Sequence, residues 1–323
     1  MVLPAARRTK GQIPVARRRR GLPYKRSLGL LAICLLLAVV FAAYHAGEHP
    51  KVKKTTATTK IQLKPAPTTN PPTKPALPQT DVALQDILTT WASQRTYSTS
   101  VVVTELTGNT PKTTTYNSTQ SIVPASTYKI YVAYAVLHAV EQGTYTLGTV
   151  TNDGNNIQTD LNNMILNSDN SAARTLGFML GWKNINALLQ TQEITHTDLY
   201  NYEPPSTQPV GDKHTTAADL ATALQKLYNG VLLNQDHTQL LIALMKQQHY
   251  RERIPAGVPS GVVVADKPGW LSPADGVDEN IQNDAAIVYG PKSTYILVIT
   301  TNGTSTQPLA DLSRQIYTYL ETL

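Results

Sequence analysis

A serine hydroxyl is a weak nucleophile unless a base takes its proton, and Ser126-Thr127-Tyr128-Lys129 places serine and lysine three residues apart. On a helix, positions i and i+3 share a face, so the Lys129 amine comes within reach of the Ser126 hydroxyl. S-x-x-K is the arrangement of acyl-transferring serine enzymes that use lysine where others use histidine. Taken alone it is a weak signal, since a helix-capping serine after Pro124 followed by a snorkelling lysine reads the same. Ser168-Asp169-Asn170 is rarer, expected about 0.04 times by chance in a chain of this composition. Its residues also suit an N-cap turn between two helices. Lys267-Pro268-Gly269 ends the apolar stretch VVVA and brings a second cation, in the same chain order. A buried lysine close to another cation has its pKa lowered, and both lysines attract an anionic substrate.

Other chemistries find little support. The only cysteine, Cys34, excludes an intrachain disulfide and a thiolate zinc site. The seven histidines form no H-E-x-x-H pair, so neither a metal nor a cofactor is implied. The net charge of +6 suggests nucleic acid until it is divided by segment. Residues 1–26 hold nine Lys/Arg and no acid, and residues 48–80 hold six Lys against Glu48, which leaves 81–323 with a net charge of −8. The globular part is acidic, and no nucleic-acid partner is expected.

The sequence divides into four parts: a basic tail over 1–26, a candidate membrane anchor over 27–46, a Thr/Pro/Lys-rich linker over 47–80, and a globular domain over 81–323. Residues 28–44 form an uncharged, mostly apolar run of 17, just enough to span a hydrocarbon core of about 30 Å. The preceding positive charges predict a cytoplasmic N-terminus and an extracytoplasmic domain, attached to the cytoplasmic membrane by a single pass. A cleaved signal peptide, with Val40 and Ala42 before the cut, is the alternative. Cys34, preceded by Ile33, is a poor lipoprotein site. The linker has too little apolar surface to offset its ordering entropy and reads as a semi-extended spacer.

Within 81–323, helical spacing with Asp81 as cap predicts a helix to Arg95, then a hairpin of SVVVTEL and TTTYNS about a Gly108-Asn109 turn. STYKIYVAYAVLHAV is apolar nearly all round, which predicts a buried helix ended by Gly143. Further helices are expected at 158–166, 171–180, 183–190, 216–229, 238–249 and 307–321, and strands at 262–265, 285–290 and 294–301. Strands at both ends with helices between them make an α+β domain in which the terminal strands share one sheet.

PASTYK, NSDNSAA, TTAADLATAL, YRERIPAGVP, VVVADKPGWL, NDAAIVYGP and YILVITTNG occur in an order that resembles the class A serine β-lactamases and the wider penicillin-recognising group, which includes D,D-peptidases. The resemblance covers most of 81–323 and implies the β-lactamase/transpeptidase-like fold, with a helical subdomain beside the sheet. By it, Ser126 is the nucleophile, Lys129 its proton partner, and Ser168 a proton shuttle to the leaving nitrogen. Asn170 holds the substrate amide, Lys267 and Gly269 belong to the substrate-binding strand, and the N–H groups of Ser126 and Trp270 form the oxyanion hole. Glu203, in NYEPPS, matches the glutamate that activates the deacylating water. The implied substrate is a β-lactam or an acyl-D-Ala-D-Ala-type peptide.

The sequence also departs from the pattern. Thr207 stands where an asparagine helps to hold that water, His214 where an aspartate braces the loop, and Asn201 where that aspartate's arginine partner is expected. Pro268 replaces a threonine whose hydroxyl meets the substrate carboxylate, and proline has neither hydroxyl nor N–H. The interval from Ser126 to Ser168 is short. A β-lactamase, a D,D-peptidase and an inactive wall-associated relative all fit this sequence.

Overall fold

The computed structural model describes residues 81–107, 112–199 and 213–323. The basic tail, the candidate anchor, the linker, the Gly108-Asn109 turn, Asn201, Glu203 and Thr207 lie outside the described residues. Among the described residues, no helix is long and apolar enough to cross a membrane.

Runs of β-branched residues make the strands. β1 (Ser98–Glu105) buries Thr99 through Thr104, and β5 (Thr294–Asn302) is buried from Tyr295 to Thr301. Strands buried on both faces read as continuous apolar runs, which is why these two were legible. With β2 (Lys112–Tyr116), β3 (Val263–Leu271) and β4 (Ile281–Tyr289) they form one antiparallel sheet in the order β2-β1-β5-β4-β3. N- and C-terminal strands therefore do share one sheet.

The first helix, α1 (Val82–Ser93), starts at Asp81, whose carboxylate accepts from Leu84 N at 3.0 Å. It packs with the last helix, α8 (Gln307–Leu320), on one face of the sheet. Leu88, Trp91, Leu312 and Ile316 meet Val101, Val103, Leu297 and Ile299 there. The opposite face carries Val102, Ala265, Ala285, Ile296 and Val298 against the helices of the middle of the chain. At their centre runs α2 (Lys129–Glu141), buried from Lys129 through Leu137 and followed by Gly143, as its all-round apolar sequence requires. Around it stand α3 (Ile157–Leu166), α4 (Asn170–Leu180), α5 (Trp182–Thr191), α6 (Ala217–Tyr228) and α7 (Gln235–Lys246).

Three expectations need correction. The helix expected at 238–249 runs over Gln235–Lys246, because Asn234 caps it by accepting from His237 N at 2.9 Å. The strand expected to stop at Ala265 continues through Lys267-Pro268-Gly269 to Leu271, and β4 starts at Ile281, four residues ahead of its apolar run. Ser126 is no helix cap. It lies within a 3-10 turn, Ala125–Tyr128, that leads directly into α2, and no side chain caps that turn.

Candidate active site

The site forms where this 3-10 turn, the start of α4 and the outer strand β3 converge. Ala125 takes φ of 47° and Ser168 takes φ of 55°, left-handed conformations that disfavour side chains. Each strained residue sits at or beside a chemistry-bearing one. Thr127 steadies the turn, its hydroxyl donating to Pro124 O at 2.7 Å.

Lys129 begins α2 with its amine pointed back at the preceding turn. Nζ donates to Ser126 Oγ at 2.9 Å, to Ser168 O at 2.6 Å, to Ser168 Oγ at 3.2 Å and to Asn170 Oδ1 at 2.7 Å. Burial lowers its pKa to about 7; the Asp169 carboxylate opposes that shift and the Lys213 cation adds to it. Ser126 is half-buried and Asn170 exposed, whereas Lys129, Ser168 and Lys267 are buried.

Ser168-Asp169-Asn170 forms the N-cap turn expected of it. Asp169 caps α4, accepting from Ser171 N at 2.6 Å and Ala172 N at 3.0 Å, while its neighbours reach Lys129. Lys267 joins from β3. Its Nζ donates to Ser168 Oγ at 3.0 Å and to Pro268 O at 2.7 Å, so one serine hydroxyl lies between two lysines. Burial, and then repulsion from Lys129, hold the Lys267 pKa well below that of an ordinary lysine.

On the other face of β3 lies an ionic cluster. Arg251 binds Asp266 and the carbonyl of Val264, Ile254 N donates to Asp284 Oδ2 at 3.1 Å, and Arg253 donates twice to Gln282 Oε1. Burial pushes Asp284 up to about 6 and raises Asp266 strongly, with Asp284 adding to the shift of Asp266. This cluster fixes β3 beneath Lys267.

Gly269 is explained by distance. A Cβ there would stand 2.6 Å from Ser126 N, 2.8 Å from Thr127 N and 2.9 Å from Pro124 O, so only glycine lets β3 lie against the turn. Pro268 is tolerated because β3 is the outer strand, where a nitrogen facing away from β4 breaks no ladder bond. Backbone direction alternates with period two, so the Trp270 N–H faces the same open side. Its indole is held edge-on by Tyr250 at 4.8 Å and covered by Arg253 at 5.1 Å.

His214 is exposed. It is joined to Asp198 through paired backbone hydrogen bonds of 2.9 and 3.0 Å, and Thr215 pairs with Ile122. Tyr131, Thr215, Thr197 and Asp219 continue the clamp by side-chain hydrogen bonds of 2.7 to 2.9 Å. The chain is thus braced at this point by backbone and hydroxyls. Sequence reasoning missed Lys213, which lies in GDKHTT without a motif, and Asn283, whose amide holds Val123 O at 2.9 Å just upstream of the turn. Among the described residues, no group of three or more His, Cys, Asp and Glu side chains is arranged to hold a metal ion.

The seam thus holds a serine hydroxyl hydrogen-bonded to a lysine of lowered pKa, with a second hydroxyl shared between two lysines. A model of the beta-lactamase enzyme family matches residues 81–320, and the chain belongs to that family. Among solved structures it is similar to a point mutant of PBP-A, described as an acyl-enzyme complex with penicillin G, at 23% identity and a TM-score of 0.66, over 76% of this chain and 99% of that one. It is also similar to a β-lactamase from Sphaerobacter thermophilus DSM 20745, at 20% identity and a TM-score of 0.62, over 75% and 97% of the two chains. A third similar structure is a class A β-lactamase of the last common ancestor of Gram-negative bacteria, at 22% identity and a TM-score of 0.64, over 73% and 99%. No curated protein matches. The chain therefore has the β-lactamase/transpeptidase-like α+β fold, and its family is one of serine hydrolases.

Proposed function

We propose that this protein opens β-lactam rings through an acyl-Ser126 intermediate. The observation that carries the reading is the Lys129 amine, which joins Ser126, Ser168 and Asn170 in one hydrogen-bonded group. Neutral Lys129 takes the proton of Ser126 as Oγ bonds to the lactam carbonyl carbon. The oxyanion is met by the N–H groups of Ser126 and Trp270, each such donor contributing on the order of 10²–10³ in rate. The C–N bond then breaks, and the Ser168 hydroxyl protonates the leaving nitrogen and is resupplied from the lysines on either side. Lys267 provides positive potential for the substrate carboxylate, and Asn170 holds its amide. Glu203 activates the water that cleaves the ester.

The domain acts outside the cytoplasmic membrane, carried on a spacer behind an N-terminal anchor with its basic end inside. Protease applied to intact cells should digest the spacer and leave residues 1–26 protected; digestion of residues 1–26 with the spacer protected would mean the opposite orientation. A D,D-peptidase is the second reading. It is favoured by His214, an exposed residue that stands where the family has a loop-bracing aspartate.

One experiment separates the readings. Benzylpenicillin should add once to the purified chain, as seen by intact mass, and not at all to Ser126→Ala. Glu203→Gln should acylate normally but release the adduct about 10²–10⁴ times more slowly. Release as fast as wild type would make Glu203 a loop residue and shift the balance to the peptidase. No adduct under any condition would leave an inactive relative.

A further inference from the structure

Lys213 is a buried cation that the reaction above does not use. Its Nζ lies 4.8 Å from the Tyr128 ring centroid and 5.5 Å from that of Trp182. These two rings meet edge to face with centroids 6.2 Å apart, and Phe178 braces Trp182 at the same separation. Trp182 also rests on Gly177, where a Cβ would stand 2.2 Å from its Cζ2, so the indole has a fixed seat against α4. Ring faces attract an ammonium group, and rigid rings hold it in place. The amine of Lys129 lies 5.9 Å from the centroid of the same Tyr128 ring. One aromatic side chain therefore has both amines against it.

We propose that Lys213 is a positioning residue of the site: held by Tyr128 and Trp182, its charge favours the neutral amine of Lys129 and so prepares Lys129 to take the proton of Ser126. The proposal rests on the acyl-serine reading above. Among the described residues, three charged groups face Lys129. Asp169, at the start of α4, favours the protonated amine; Lys267, on β3, shares Ser168 Oγ with it; Lys213 is the third. Other charges near α2 are engaged elsewhere. Glu141 pairs with His237 at 2.9 Å at its far end, and Asp219 accepts from Thr197 and His196 N. Burial is the largest cause that lowers the Lys129 pKa, and the Lys213 charge acts in the same direction, against Asp169.

A unit charge within ~10 Å, at an effective dielectric of about 20, shifts a pKa by about one unit. The test follows lysine protonation by NMR with 13C at Cε in the purified chain, comparing wild type, Lys213→Met and Lys213→Arg. The Met variant should raise the Lys129 midpoint by about one pH unit, and the Arg variant should leave it in place. An unmoved midpoint in Lys213→Met overturns the proposal. So does a wild-type chain in which Lys213 loses its proton before Lys129, a result that needs no variant to fold. Because this readout requires no substrate, it stands whether or not the chain reacts with penicillin. The acid limb of the acylation rate, measured with a fluorescent penicillin, should move up with the midpoint in Lys213→Met. A midpoint that moves without the limb overturns the assignment of Lys129 as the base.

Discussion

β1 with β5 and β3 with β4 are both antiparallel pairs in one sheet, and both are almost wholly buried, yet they are built on opposite rules. The central pair fills both of its faces with Val101, Val102, Val103, Leu297, Val298 and Ile299. The outer pair, at similar burial, carries Asp266, Lys267, Asn283 and Asp284. Burying apolar surface stabilises a fold, while burying charge costs free energy that hydrogen bonds and counter-charges only partly offset. The first pair holds the domain together. The second carries Lys267 at lowered pKa, sharing Ser168 Oγ with the Lys129 amine of α2, and the stability of the first offsets its cost.

The sharpest way to break this contrast is to remove the buried charge of α2 that shares Ser168 with the outer pair. Lys129→Met should reduce acylation by about 10³, as loss of a general base does. It should also raise the melting temperature at pH 7. The Lys129 pKa is lowered on folding from 10.5 to about 7, so the penalty of burying its charge is absent above 10.5 and grows as pH falls towards 7. The gain from Lys129→Met should therefore shrink between pH 7 and pH 10 in thermal scans. A difference that does not change with pH would mean that the amine carries no such cost.

Gly269→Ala ranks next. A Cβ 2.6 Å from Ser126 N must push the turn away from β3 and displace the N–H proposed as an oxyanion donor, for an expected loss of about 10²-fold in acylation. Unchanged acylation would show that the turn can move without harm. Leu297→Ala, on the central pair, should have the smallest effect on chemistry. It should cost about 2–5 kcal/mol in denaturant unfolding and leave the acylation rate of the folded protein unaltered. A slower reaction per folded molecule would show that the two strand pairs are mechanically coupled.

The same division explains what could be read from the sequence. The apolar strands, the buried helix α2 and the three polar motifs were legible because continuous hydrophobicity and motif spacing are local signals. The missed parts of β3 and β4 are Asp266-Lys267-Pro268-Gly269 and Gln282-Asn283-Asp284, where the site interrupts the apolar pattern and the strand resembles a loop. The roles of Ser126, Lys129 and Ser168 could be set out in advance, but their convergence depends on long-range approach. Lys213 gave no signal, since what places it beside Lys129 is a pair of aromatic rings on other elements.

Pro268 has a consequence beyond the lost hydroxyl. β3 is the outermost strand of the sheet, and an exposed strand edge is a template on which another chain can build a sheet. A proline at the middle of that edge removes a donor such an intruding strand would need, and the far edge is only the five-residue, threonine-rich β2. Copies of this domain that met one another would do so with edges that do not pair, and they would remain separate.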